Sequence, residues 1–172
     1  ATIPGSRADR IVIGGHYDTK LFRDFRFVGA NDAGSSTAFL IEMARVLKPR
    51  ANPFTIELVF FDGEEAFIDW YLGDDNRNGS RHYGAEAKRT GDLARSKARI
   101  RADMIGDHDL VGPVLKARGM VLDFWKIAMR PGKPMLFGRL GSQRVLGLPG
   151  NPVSALICGR VFLLPLIDRL LG

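Results

Sequence analysis

The sequence predicts an α/β fold, a three-layer αβα sandwich on a mostly parallel sheet with an antiparallel hairpin near one edge. Three observations point there. Short apolar runs of strand length recur along the chain, segments of helical periodicity separate them, and two late runs flank the tight Gly141–Ser142 turn. At 172 residues the chain has the size of one domain, so both halves are expected to merge into a single unit, residues 1–172.

The elements follow in order. Ile11 to Gly15 is an apolar run ending in glycines, the pattern of a buried parallel strand feeding a loop. Ser35 to Leu47 reads as a helix with Ser35 or Ser36 as its cap and Ala38, Ile41, Met43, Ala44 and Leu47 on its buried side; Pro49 and Pro53 stop it. Thr55 to Asp62 is apolar nearly throughout and is expected to lie centrally. A loop rich in Asp, Asn and Gly runs from Gly63 to Ser80, and loops of that length are usually functional. A short helix from Arg81 to Lys88 leads to Ala98 through Ile105, where Arg99, Arg101 and Asp103 alternate with apolar residues. That alternation predicts a half-exposed or edge strand. Asp107 or Asp109 is placed to cap a helix running to Arg118 and closed by Gly119. Strands are expected at Val121–Met129, Met135–Leu140 and Val145–Leu148, then a helix from Pro152 to Leu171, capped by Asn151 and kinked by Pro165.

Composition removes several classes of function. No apolar run reaches the ~18 to 20 residues of a membrane helix and no signal-like segment opens the chain, so the reading is a soluble protein without a membrane partner; the opening at Ala1 reads as a processing or cloning boundary. Cys158 is the one cysteine, which forbids an intrachain disulfide and a multi-cysteine zinc site. The net charge of +6 invites a nucleic-acid reading, but residues 1–106 carry 16 basic and 15 acidic groups while residues 107–172 carry 9 and 4, scattered and without interleaved aromatics. Specific nucleic-acid binding is not expected.

Chemistry gathers at the predicted strand ends. His16 and Asp18 follow the first strand, Asp32 lies in the glycine-flanked GANDAGSS, Glu64 and Glu65 follow the apolar strand, and Asp103 ends the fourth. Open α/β sheets place ligands there. One histidine with several carboxylates is a donor set for Zn²⁺, and of two adjacent glutamates one can bind metal while its neighbour handles a proton. Each residue alone also has a structural reading: Asp32 as a helix cap, His16 as a satisfied loop histidine, the glutamate pair as solvated surface. Together at strand ends they favour a metal site.

GGHYDTK, FVGANDAGSS, FFDGEEAF and GSRHYGA, in that order, resemble the zinc aminopeptidase and glutaminyl cyclase superfamily, and FFDGEEAF followed by Trp70 is similar to its glutaminyl cyclase branch, over about residues 1–106. The resemblance implies that Asp32 and Glu65 bind one zinc, that Glu64 shuttles a proton, that Asp103 hydrogen-bonds in the site, and that His16 and Asp103 hold a second ion in two-metal relatives. Trp70 is implied as part of a pocket for an N-terminal glutamine peptide. Two departures stand out. The family's last ligand is a histidine far beyond this point, which no residue here matches, and the strand before DMIGD is normally strongly apolar, whereas here it carries Arg99 and Arg101.

In the second part, RPGKP at 130–134 and LPGNPVSA at 148–155 put glycine-bearing turns beside a helix start, where exposed N–H groups favour a small anion; Lys133, Gly150 and Asn151 are the candidate anion contacts, with an ordinary strand-to-helix turn as the alternative. From GDHDLVGP to ALICG this stretch, about residues 106–172, resembles the C-terminal half of the molybdopterin-binding domain of molybdopterin molybdenumtransferases, which implies a site for a pterin phosphate. The first half of that domain is missing. Two families therefore meet at Gly106–Asp107, each with too few strands to bury its own faces. The economical reading is an engineered chimeric α/β scaffold, a 1–106 fragment joined to a 107–172 fragment, with a residual partial zinc site and no efficient catalysis. The alternatives are a zinc-dependent glutaminyl cyclase or aminopeptidase and an anion- or pterin-binding module.

Overall fold

A computed structural model describes residues 1–30, 32–69, 75–105, 111–130, 133–141, 143–149 and 152–171. One seven-stranded sheet contains β1 (Thr2–Ile3), β2 (Arg7–His16), β3 (Phe54–Phe61), β4 (Ser96–Ile105), β5 (Val121–Trp125), β6 (Leu136–Leu140) and β7 (Gln143–Pro149), in the spatial order β1-β3-β2-β4-β7-β6-β5. The pairs β3–β2, β2–β4 and β4–β7 are parallel. The short β1 runs antiparallel to β3 at one edge, and β7–β6–β5 is an antiparallel meander at the other. Helices α1 (Gly34–Leu47), α2 (Asn78–Arg89), α3 (Asp92–Arg95) and α4 (Val111–Ala117) precede a C-terminal helical segment. Among the described residues no helix is long and apolar enough to cross a membrane.

Side-chain alternation along the strands separates two faces. On one, Ile11 and Ile13, Ile56 and Leu58, Ala98 and Ile100, and Leu146 and Leu148 form a continuous buried layer under Phe39, Leu40, Met43 and Leu47 of α1 and under Cys158, Leu163 and Ile167. The opposite face has a smaller apolar cluster, Met120 and Leu136 with Leu115, Leu122, Trp125, Leu140 and Val145 around them, beside α4. Between that cluster and α2 the sheet is polar: Arg10 pairs with Glu57 at 3.2 Å, the Tyr83 hydroxyl bonds to Glu57, and Arg99 lies half-buried nearby. Burial pushes the Tyr83 hydroxyl up to about 12 and the Arg99 guanidinium below its ordinary value.

This polar stretch decides between the two readings of Ala98 to Ile105, for a strand with one partly exposed face and against an edge strand. Ala98 to Ile105 belongs to β4, which runs between β2 and β7 in the sheet rather than along an edge. Its alternation arises because only one of its two faces at Arg99 meets apolar packing. Helix α1 also opens differently. Ala33, at φ 72°, is its N-cap position and makes no side-chain cap bond. The Ser36 hydroxyl instead donates to the His16 carbonyl oxygen at 2.6 Å, with the Ala33 carbonyl oxygen at 3.0 Å, tying the helix start to the end of β2.

At the C-terminus the expected long helix is built of α5 (Pro152–Cys158), a π-turn over Gly159–Leu163 and α6 (Leu164–Leu171). Pro165 has no N–H for the Val161 carbonyl and its ring crowds that group. The wider turn before it, with Leu164 N–H donating to the Gly159 carbonyl, lets the helix continue. Gly159 packs close against α1, where a Cβ would lie 2.7 Å from Cε2 of buried Phe39. Gly159→Ala is therefore expected to lower stability by about 1–3 kcal/mol through overpacking, measured by thermal or urea unfolding; an unchanged midpoint would show that Phe39 has room to move.

Candidate metal centre

Three side chains converge at the carboxyl ends of β2 and β3. His16 is the last residue of β2 and is buried; Asp32 comes from the loop between β2 and α1; Glu65 follows β3 after the turn at Asp62–Gly63. Ligand atoms of all three lie within 4.8 Å of one another, with His16 Nε2 3.2 Å from Asp32 Oδ1. Strand register sets this up, because parallel pairing puts His16 beside Phe61 and the two strands finish level. Gly29, at φ 57°, turns the β2–α1 loop back on itself. A Cβ there would sit 2.4 Å from the Asp32 carbonyl oxygen, so the loop requires glycine at this position.

A second layer holds these groups. Asp18 accepts a hydrogen bond from the Glu65 backbone N–H at 2.8 Å, while its other carboxylate oxygen lies 3.5 Å from His16 Nδ1. One carboxylate thus fixes the backbone of a second donor and lies beside the histidine ring, where a metal-bound imidazole would find its support. The Lys20 ammonium donates to the Ala66 carbonyl oxygen and closes the same crevice. Burial first, and then repulsion from Asp32 and Asp18, hold the Glu65 carboxyl above its ordinary range, with His16 and Lys20 opposing.

Glu64 points elsewhere. It is buried, and its carboxylate accepts from the Ser80 backbone N–H at 2.6 Å and from the Ser80 hydroxyl at 2.9 Å, in the first turn of α2. Gly79 makes that contact possible. Its N–H donates to the Asp62 carbonyl at 3.0 Å, and a Cβ would lie 2.3 Å from the same oxygen. Asp103 lies on β4, the neighbour of β2, with its side chain outside the described residues; Trp70, Gly150 and Asn151 also lie outside them. Lys133 is exposed in the turn before β6, where its carbonyl accepts from Ile127 N–H at 2.9 Å. His16, Asp32 and Glu65 are therefore brought together, and Lys133 stands apart from them on the meander at the other end of the sheet.

Reading the sequence placed Asp18 at the strand end without giving it a role, and it missed the anchor at Ser80. Asp18 had a visible signal in its spacing from His16; Ser80 had none. Also missed was the apolar lip. The chain between His16 and Asp32 exposes Phe22, Phe25 and Phe27, whose rings cluster with Phe22 and Phe25 stacked at 4.6 Å, and Phe67 and Ile68 stand exposed just after Glu65.

One imidazole nitrogen and two carboxylates match the donor chemistry of Zn²⁺. Tetrahedral zinc with bonds near 2.1 Å needs donors about 3.4 Å apart. His16 Nε2 and Asp32 Oδ1, 3.2 Å apart, already stand near that spacing, so within the 4.8 Å limit the remaining adjustment involves Glu65. The residues present fit the ion.

Residues 1–116, well over half of the chain, match the model of peptidase family M28. The chain belongs to that family. Residues 105–169 match a second model, a probable molybdopterin binding domain, so the M28 segment supplies β1 to β4 and the second segment supplies β5 to β7 of the same sheet. The molybdopterin molybdenumtransferase of Haemophilus influenzae is 33% identical over 159 residues, 90% of this chain and 37% of that protein. A solved glutaminyl cyclase from an Acidobacteriales bacterium is 44% identical with a TM-score of 0.56, over 62% of this chain and 37% of that one. The molybdopterin biosynthesis MoeA protein of Pyrococcus horikosii covers 96% of this chain at 20% identity and a TM-score of 0.56, a likeness of fold. The M28 chain thus spans little more than a third of the length of each of these relatives.

Proposed function

We propose that this chain is a recombined α/β scaffold whose M28 segment keeps a zinc-binding centre of His16, Asp32 and Glu65 without efficient turnover. The observation that carries the reading is the convergence of those three donors from separate segments within 4.8 Å. Zinc bound there would polarise a carbonyl or amide oxygen of a peptide with an N-terminal glutamine. The chain's own part is then to hold the donors: Asp18 fixes the Glu65 backbone beside His16, the crevice raises the proton affinity of Glu65, and Glu64, held on Ser80, is the carboxylate that the resemblance implies for moving a proton. Joining two family segments, each shorter than its parent, supports the chimeric reading.

Zinc titration of the metal-free protein, followed by calorimetry and metal analysis, tests this. One zinc per chain is expected, with binding abolished in Asp32→Ala; no heat in the parent, or equal affinity in the variant, would overturn it. A second expectation uses the electrostatics. The folded chain raises the pKa of Glu65, so this group favours the fold at low pH and that contribution is lost as pH rises through the raised value. At neutral pH the metal-free Glu65→Gln variant should therefore unfold at a higher temperature than the parent, while losing the zinc-induced gain, which for the parent is about 2.7 kcal/mol at a hundredfold excess over Kd. A variant that is both less stable without metal and still stabilised by zinc would contradict the assignment.

A further inference from the structure

Arg99 carries two buried donors that the fold leaves unsatisfied. Its Nε and Nη2 are sealed from solvent, and neither has a hydrogen-bond partner among the described residues. These two nitrogens form the side-on edge of the guanidinium, whose parallel N–H bonds grip one planar oxyanion through both of its oxygens. A buried donor left unpaired carries its full desolvation penalty, larger for a charged group, and a guanidinium keeps its proton at neutral pH and cannot escape by neutralisation. The neighbouring acids are already engaged. Glu57, Val12 and Arg99 stand in one row across β3, β2 and β4, which sets the Cα atoms of Glu57 and Arg99 about 10 Å apart. Glu57 accepts from Arg10 at 3.2 Å and from the Tyr83 hydroxyl, and Asp92 pairs with Arg95 and lies 3.5 Å from Arg10. Arg10 and Arg95 are thus matched by Glu57 and Asp92, and Arg99 is the surplus positive charge of the group.

We propose that Arg99 is a binding site for the carboxylate of a small organic monocarboxylic acid, on the sheet face between α2 and the Met120–Leu136 cluster. The two oxygens of one carboxylate fill the two orphaned donors, and its single negative charge cancels the surplus, which a phosphate dianion would reverse. Apolar surface lies on the far side for the acid's carbon body: Val145, two positions before the Gly147 that pairs with Arg101, belongs to that cluster. Arg99 as a whole is half-buried, so a turn of its long side chain toward solvent brings the fork to a ligand. Position 99 is one of the two departures from the apolar strand that the M28 resemblance implies, so the site is particular to this chain. It also lies apart from the metal centre. Val12, the register partner of Arg99, precedes His16 by four positions, about 13 Å along β2.

The test is calorimetry and thermal unfolding of the intact, metal-free chain at neutral pH and constant ionic strength, with acetate, benzoate or inorganic phosphate. Each carboxylate is expected to bind once per chain and to raise the unfolding temperature by about 3–6 °C at a tenfold excess over Kd, with phosphate weaker than either. Arg99→Leu should unfold at a higher temperature than the ligand-free parent, because it removes an unpaired buried charge, and should show no rise with carboxylate. Arg99→Lys keeps the charge without the fork and should bind at least ~10-fold more weakly; it decides the matter if Arg99→Leu fails to fold. Asp32→Ala, which removes a zinc donor, should bind carboxylate as the parent does, so a failed zinc centre leaves this result untouched. No saturable carboxylate binding in the parent, equal binding in Arg99→Lys, phosphate binding as tight as that of the carboxylates, or loss of binding in Asp32→Ala would each overturn the proposal.

Discussion

A chain ended after Gly106 is expected not to fold. The buried layer over β2, β3 and β4 is completed by Leu146 and Leu148 of β7 and by Cys158, Leu163 and Ile167 of the C-terminal segment, each at most 2% exposed. Losing these partners uncovers their neighbours Ile13, Phe39, Leu40 and Ile100, and each large apolar side chain so exposed costs about 1.5–3 kcal/mol. A few such losses equal the whole net stability of a typical domain, about 5–15 kcal/mol. The same truncation makes β4 an edge strand with unpaired backbone groups along the side that β7 now covers. Circular dichroism and amide proton dispersion of the fragment decide the point: a folded, cooperatively melting 1–106 fragment would refute it. In the intact chain the corresponding result is one unfolding transition, and Leu146→Ala, worth about 2–5 kcal/mol, should accelerate amide exchange in β2 and β3 as much as in β6. Two well-separated transitions would mean that the two family segments hold together independently.

What the sequence revealed of this fold follows from how locally each feature is encoded. The strands β2 and β3, helix α1 and the β6–β7 hairpin were legible because an apolar run, a helical repeat or a glycine turn specifies them within a dozen residues. The placement of β3 and β4 was not: β3, expected centrally, lies beside the short edge strand β1. Arg99 and Arg101 imitate an edge strand, and only the position of β7, forty residues later, puts β4 inside the sheet. The two-residue β1 and four-residue α3 are too short to produce a pattern. The π-turn before Pro165 is a response to a steric conflict, visible in sequence only as a proline in a helix.

The site divides along the same line. His16, Asp32 and Glu65 could be read as a group because a parallel sheet aligns its strand ends, so residues just past two strands become neighbours without any further information. The bond from Glu65 N–H to Asp18 spans 47 positions and that from Ser80 to Glu64 spans 16. Such contacts depend on how a loop is folded, which no short-range pattern fixes. The exposed Phe22, Phe25 and Phe27 were given no role by reading the sequence, since their clustering at the surface likewise depends on the fold of the loop.

Release of ammonia from a glutamine-initiated peptide by the zinc-loaded chain is expected at or near background. A catalytic zinc needs its protein donors fixed and one position left open. Here the resemblance calls for a further histidine beyond the M28 segment, and among the described residues the cluster has three donors, with Asp32 44% exposed at its side chain. Loss of supporting groups around a metal costs ~10- to 100-fold in affinity or activity, and loss of a direct ligand costs more. The proton carrier is also occupied. Both oxygens of Glu64 accept hydrogen bonds from Ser80, and a carboxylate held in the first turn of α2 must leave those donors before it can reach a substrate proton. Ser80→Ala removes the hydroxyl donor but not the backbone one, so it is expected to raise any residual turnover by less than tenfold. Glu64→Gln should remove that turnover altogether. A zinc-dependent rate of ~1 per second or faster, abolished in Glu64→Gln, would show that three donors suffice and that Glu64 swings free of Ser80 when substrate binds.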